Sequence, residues 1–316
     1  MPGSVLKDQM LKENGIKGGS LMQIRMTEYH VPNPESGPYG IAVCANGRIW
    51  FTEQKGNRIG MLTESGDITE YTIPTKSAGA SIITPGISGE LWFTEYKAGK
   101  IGKMTPQGEI TEYALPLGTA PFGIAVGCDD AMWYTDMAGH QIGRLSSSGE
   151  ITEYKLPKPG AFPSFITRGA DDALWFTQNQ SGSIGRITAD GDISEYPLPG
   201  EQSGPVGITA GPDGALWFTE INGNQIGRIA VSGKISEYPL PTANARPHAI
   251  TAGGDGALWF TEWGAGQIGR ITVNGDITEY PIPTAESEPH GIAAGPAQSI
   301  WFAEECGRIG KISILD

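Results

Sequence analysis

Two carboxylates and an imidazole stand close together near the end of the chain: Glu288 and His290 flank Pro289, and Glu305 follows fifteen residues after His290. Carboxylates suit a hard cation such as Mg²⁺, which takes oxygen ligands and keeps waters or substrate oxygens in its shell. An imidazole beside them titrates near neutrality and can serve as a general base. His248 and Trp263 precede them, a second imidazole and a tryptophan whose ring suits an apolar or aromatic ligand. Whether these groups meet depends on the elements that carry them.

Those elements are copies of one unit. Trp50, Trp92, Trp133, Trp175, Trp217, Trp259 and Trp301 fall 42, 41, 42, 42, 42 and 42 residues apart, which makes seven copies. Each copy has four short β-type runs, such as Pro-Val-Gly-Ile-Thr, Leu-Trp-Phe-Thr-Glu, Gln-Ile-Gly-Arg-Ile and Ile-Ser-Glu-Tyr-Pro, parted by turn residues such as Pro212-Asp213-Gly214. Four strands in about 42 residues is the length of one propeller blade. The expected fold is therefore all-β, a seven-bladed β-propeller of four-stranded antiparallel blades over residues 22–316, with Trp217, Ile226 and Tyr238 and their counterparts filling the space between blades. Residues 1–21 are polar, Gly-rich and without period, and are expected to be a mobile N-terminal tail. The segment Arg25 to Pro32 matches a fourth strand, whereas the chain ends on a third strand at Ile312-Ser313-Ile314-Leu315. The N-terminal strand must complete the last blade, closing the ring and removing two exposed sheet edges.

In such a blade the start of the first strand and the end of the second lie side by side at one mouth of the channel. After the proline that opens the first strand, or its counterpart, the copies carry Tyr39, Ser81, Phe122, Ser164, Val206, His248 and His290; before it they carry Gly37, Gly79, Ala120, Phe162, Gly204, Arg246 and Glu288. Imidazoles and charges are confined to the last two blades. Glu53, Glu95, Asp136, Gln178, Glu220, Glu262 and Glu304 end the second strands. A carboxylate in nearly every blade reads as structural, bonding turn amides or neighbouring blades. The next position varies freely, through Gln54, Tyr96, Met137, Asn179, Ile221, Trp263 and Glu305. Three departures from a strong internal pattern, Glu288, His290 and Glu305, thus coincide in blade seven, with His248 and Trp263 beside them. Taken alone, His248 reads as a hydrogen-bonding filler, and Arg246 as an ion-pair partner for the acidic mouth.

A net charge of -13 argues against a nucleic-acid partner. Cys44, Cys128 and Cys306 occupy unrelated repeat positions with no CxxC, so neither a disulfide framework nor a zinc site is encoded, and a reducing, cytoplasmic setting is expected. No stretch has the apolar length of a signal peptide core or a membrane span.

From about Met22 onward the chain resembles the virginiamycin B lyases. The resemblance rests on the repeats and, more specifically, on Gly37-Pro38-Tyr39-Gly40, Ala245-Arg246-Pro247-His248-Ala249-Ile250, Thr261-Glu262-Trp263-Gly264, Glu288-Pro289-His290-Gly291-Ile292 and Trp301-Phe302-Ala303-Glu304-Glu305-Cys306. It implies a monomer that inactivates streptogramin B antibiotics, with His290 as proton acceptor, Glu288 and Glu305 as Mg²⁺ ligands, and His248, Tyr39 and Trp263 against the substrate. The family motif has its acid directly before the cysteine, which selects Glu305 over Glu304, as the repeat comparison does independently. The implied reaction is elimination on a cyclic depsipeptide: loss of the α-proton of the threonine that closes the ring expels the ester carboxylate and leaves a dehydrobutyrine. No Gly-x-Ser-x-Gly elbow or His-Glu-x-x-His motif offers a competing hydrolytic site. Two other classes stay open: a metal-dependent lactonase, whose product would be heavier by one water, and a non-catalytic ligand-binding propeller, which would bind without turnover.

Overall fold

Runs rich in Ile, Phe and Thr make each copy a set of pleated strands, of which the second is buried throughout, and glycines of positive φ turn the chain between them. The computed structural model describes residues 5–12, 22–200 and 202–315, and all regular elements among them are strands. They form six four-stranded antiparallel sheets and one of five strands, seven blades in all. In the last blade Gln23–His30 pairs with Arg308–Leu315, running from Gln23 opposite Leu315 to His30 opposite Arg308. The N-terminal strand therefore closes the ring as expected. Tyr29 stacks on Trp301 at 5.8 Å, the counterpart of the Trp217–Tyr238 stack at 5.6 Å within a single copy.

One segment differs from expectation. Val5–Lys12, assigned to the tail, is a strand that pairs antiparallel with Gln23–His30 and forms a fifth, outermost strand. The closing strand leaves a row of free N–H and C=O groups on its outer edge, and the chain just before it folds back onto that row. The run Val-Leu-Lys-Asp-Gln-Met-Leu-Lys has no alternation that would have marked a strand. The rest of the expected tail, residues 1–4 and 13–21, lies outside the described residues.

The core lies between blades. Trp217, Ile226, Ile250, Leu258, Phe260 and Ile271 form one of seven clusters, each shared by neighbouring sheets. The tryptophans of blades three to seven are almost wholly buried, so truncating one to alanine costs about 3–5 kcal/mol.

Nearer the axis a hydroxyl joins each of the first six blades to the next. Thr219 Oγ accepts from Gly207 N at 2.9 Å in its own blade and donates to the carbonyl of His248 in the following one at 2.8 Å. Thr52, Thr94, Thr135, Thr177 and Thr261 make the same two bonds. The seventh copy has Ala303 there, so the junction between the last blade and the first lacks this link.

The acids that end the second strands are structural, as expected, but their surroundings are not those the sequence implied. Asp136 bonds turn amides, accepting from Ala120, Ala138 and Gly139 N. Glu95 and Glu262 are buried against a second carboxyl from the fourth strand of their own blade, Glu112 and Glu279. Burial, followed by the facing charge, pushes Glu95 up to about 7 and Glu262 up to about 9. Blade four shows the neutral alternative, where the Gln178 amide donates to Glu195 at 3.0 Å.

Folded Glu262 keeps a proton that the unfolded chain loses above its ordinary value of 4.5, so its contribution is full below that pH and lost as pH rises through about 9. Thermal unfolding between pH 5 and 9 is expected to show wild-type stability falling with pH. Glu262→Gln, which copies blade four, should flatten that fall and melt higher than wild type at pH 9.

Candidate active site at the mouth of blades six, seven and one

The strands that line the channel reach it through a repeated irregularity. In the last blade Pro289 pairs with Glu304 and Ile292 with Phe302, leaving His290 and Gly291 opposite Ala303 alone. The same one-residue bulge occurs at Tyr39 and His248. A bulge bends its strand and re-aims the side chain there. A Cβ on Gly291 would lie 2.5 Å from the carbonyl oxygen of Tyr39, so the first strands of neighbouring blades approach as closely as backbone permits. Thr219 and Thr261 hold the carbonyls of His248 and His290. The rings are consequently brought together: Tyr39 and His290 have centroids 4.4 Å apart, His248 and His290 4.9 Å, and Tyr39 and His248 5.8 Å. Trp263 lies 6.2 Å from His290.

The two variable positions at the rim are backbone partners in the last two blades, where Trp263 N donates to Arg246 O and Glu305 N to Glu288 O, each at 3.2 Å. Their side chains are thereby paired by type. The Arg246 guanidinium stands 5.4 Å over the Trp263 ring, a cation–π contact rather than the ion pair its charge had implied. Glu288 and Glu305 form the acidic pair. Arg246 and Glu288 have φ of 52° and 47°, where Gly37, Gly79 and Gly204 have 64°, 68° and 62°. Left-handed backbone outside glycine costs about 1–2 kcal/mol, so these two charges sit where the scaffold prefers glycine.

Glu305 is the electrostatic hub. Its Oε2 lies 2.7 Å from His290 Nε2, and its Oε1 accepts from Lys55 Nζ at 2.8 Å. The His290 bond, reinforced by Lys55, lowers its carboxyl to about 2 against the opposing effect of burial. An ionised carboxylate only accepts, so His290 presents an N–H from Nε2 to Glu305, while its Nδ1 is buried without a partner. His248 is also buried; desolvation, and then repulsion from His290 whenever that ring is protonated, lowers it to about 3 and keeps it neutral. Its Nε2 is 3.4 Å from the Tyr39 hydroxyl, whose own proton burial and the Glu305 charge hold in place. Glu304, next to Glu305, is fully buried inside the blade, so the two adjacent acids occupy different environments.

Beside the channel a cavity of about 670 Å³ is lined by Arg246, Trp263, Glu286 and Glu288, with Asn244 and Gly264. Among the described residues no three His, Cys, Asp or Glu side chains converge as a complete metal cage. The donor set nevertheless fits a cation that keeps water or substrate ligands: two hard carboxylates on bonded backbone neighbours, one held ionised, with the Lys55 ammonium already occupying a cation's place.

All six residues singled out in the sequence border this mouth: Tyr39, His248, His290, Glu305 and Trp263 around the rings, and Glu288 on the rim and in the cavity. The sequence reading missed Lys55, because its partner belongs to another blade, and Phe165, which packs edge-on to His248 at 5.9 Å and to Phe122 at 5.5 Å. Phe165 was detectable, since it stands at the second residue of the bulge, where most copies have glycine or alanine.

Fold and site together describe a propeller enzyme with an imidazole–carboxylate centre at one end of its channel. A sequence model of the virginiamycin B lyase family matches residues 24–312, and the chain belongs to that family, one of lyases. It is 52% identical to the solved virginiamycin B lyase of Staphylococcus aureus, with a TM-score of 0.90 over 92% of this chain and 100% of that one. A catalytically inactive histidine-to-alanine variant of the S. aureus enzyme, solved with quinupristin, matches equally well, at 52% identity and a TM-score of 0.90 over 92% of this chain and 100% of that one. A 47-residue segment is 94% identical to virginiamycin B lyase of Bacillus licheniformis and spans 15% of this chain and 16% of that protein. The curated relatives are thus matched over about one-sixth of their length.

Thr261 supports His290 through its hydroxyl alone. Thr261→Val leaves a buried N–H and C=O unpaired and is expected to lower stability by about 1–3 kcal/mol in denaturant melts, while Thr261→Ser keeps the link and most of the stability.

Proposed function

We propose that the protein inactivates streptogramin B antibiotics by opening their cyclic depsipeptide at the threonyl ester through β-elimination, with Mg²⁺ assisting and no water consumed. The observation that carries this reading is the His290–Glu305 pair at the channel mouth of a chain that belongs to the virginiamycin B lyase family. Support comes from the S. aureus relative, which a histidine-to-alanine change inactivates and which was solved with quinupristin.

His290 is the proton acceptor. Its imidazole takes the α-proton of the threonyl residue; the C–H electrons form the Cα–Cβ double bond, and the Cβ–O bond breaks to release the carboxylate. Glu305 fixes the imidazole through Nε2 and offsets the positive charge that the ring acquires, the role an acid plays behind a catalytic histidine. Tyr39 keeps its phenolic proton and can donate it to a substrate oxygen, and neutral His248 orients Tyr39 and the ligand. Trp263 with Arg246 over it offers an aromatic face at the rim. Glu288 and Glu305 would hold Mg²⁺, which supplies Lewis-acid stabilisation of developing charge on carbonyl and carboxylate oxygens. The reading extends to a monomeric, cytoplasmic enzyme, in keeping with free Cys44, Cys128 and Cys306.

Mass spectrometry of a streptogramin B compound incubated with purified protein and Mg²⁺ tests it. The expected product is ring-opened and of unchanged mass. A product heavier by one water would establish a lactonase instead, and an intact substrate would leave a binding propeller. His290→Ala is expected to slow turnover by about 10²–10⁴-fold without loss of fold. Chelation should abolish turnover reversibly, and a Glu288→Gln protein working normally without added metal would remove the metal from the mechanism.

A further inference from the structure

We propose that Lys55 is a built-in counter-ion of the site: it ties the first blade to the last through Glu305 and is displaced from that carboxylate when a divalent cation enters. This rests on the assignment of Glu288 and Glu305 to Mg²⁺ made above. His290 engages Oε2 of Glu305 and Lys55 engages Oε1, so the ammonium holds the one oxygen that His290 leaves. A cation that binds Glu305 without disrupting His290 must take that oxygen from Lys55.

The reach of Lys55 is prepared by its surroundings. Its stem crosses Gly37, where an added Cβ would meet Lys55 Cδ at 3.1 Å and Cγ at 3.2 Å and crowd the stem. The junction it spans is the one where Ala303 replaces the threonine that links every other pair of blades. With 60% of its side chain exposed, the ammonium can return to water at little loss, as expected of a replaceable charge. Lys97 provides an internal control. It lies over Gly79 in blade two as Lys55 lies over Gly37, yet the residue at the Glu305 position of the preceding blade is Gln54, whose amide donates to Ser81.

The test is calorimetric titration of metal-stripped wild type, Lys55→Met, Lys55→Arg and Lys97→Met with Mg²⁺ and with Mn²⁺, together with metal-free melting curves. Lys55→Met is expected to bind either cation about tenfold tighter or more, because a competing charge beside the ligand has gone. It should also melt lower than wild type without metal and regain the difference when metal is added. Lys55→Arg and Lys97→Met should behave like wild type. Equal or weaker binding by Lys55→Met overturns displacement while leaving the metal assignment intact. Absence of saturable binding in every protein overturns the metal assignment and displacement with it, and an unchanged metal-free melting temperature in Lys55→Met overturns the tie between blades.

Discussion

A propeller must hold its innermost strands close enough for their backbones to touch, and the threonine hydroxyls make that approach tolerable. Where the first strands converge, the bulge removes a backbone carbonyl from its own ladder, and a carbonyl buried without a donor is expensive. The threonine of the preceding blade supplies that donor and, by accepting from its own blade's N–H, satisfies two polar groups at once. Both imidazoles of the site are placed by this device. Tyr39, His248 and His290 are bulge residues, and the carbonyls of both histidines are held by threonines. The imidazoles are fixed through their backbones, which leaves their ring nitrogens to meet Glu305 and Tyr39.

The device lapses at one junction, and the specialised residues gather around it. Between blades seven and one, Ala303 offers no hydroxyl; Lys55 and Glu305 meet there, and the Tyr39 ring lies against His290. A repeat that closes on itself has one junction where the first and last copies meet, and the copies on either side can depart from the pattern without disturbing a neighbour further on. The charge pair across it is partly exposed, so its contribution to stability is small beside that of the closing strand. Ring closure rests instead on the eight paired residues from Gln23 to His30 and the Tyr29–Trp301 stack, which frees the junction's inner end for a ligand.

The fold was legible because its signals are local and sevenfold. The tryptophan spacing, the turn glycines and the phase of the two termini state blade number, strand order and closure without any long-range inference. The site was legible by difference: a strong repeat makes Glu288, His290 and Glu305 conspicuous, and the shared blade geometry says that the two variable columns adjoin. What stayed hidden depends on relations between copies. Lys55 looks like Lys97 until the residue of the preceding blade is considered, Glu305 in one case and Gln54 in the other. Val5–Lys12 carries no alternation and is placed by the edge it meets. The turn amides expected as partners of the buried acids are those of Asp136, but Glu95 and Glu262 face a second carboxyl instead, because carboxyls on second and fourth strands become neighbours only in the folded register.

Those acids and the rim charges show two uses of an unfavourable placement. Glu262 and Glu95 bury a carboxyl beside another, and Gln178 shows that an amide does the same structural work with no proton to lose. Their placement is a property of the repeat and is confined to the interior of each blade. Glu288 and Arg246 instead accept left-handed backbone at positions that three other blades fill with glycine. No packing is gained by it, since both side chains are exposed at the rim. A strained residue that buries nothing is retained for what its head group meets. Here the head groups face a cavity of about 670 Å³ with Trp263 on its wall and Glu305 one backbone hydrogen bond away, which places the strain where a ligand and its cation would be held.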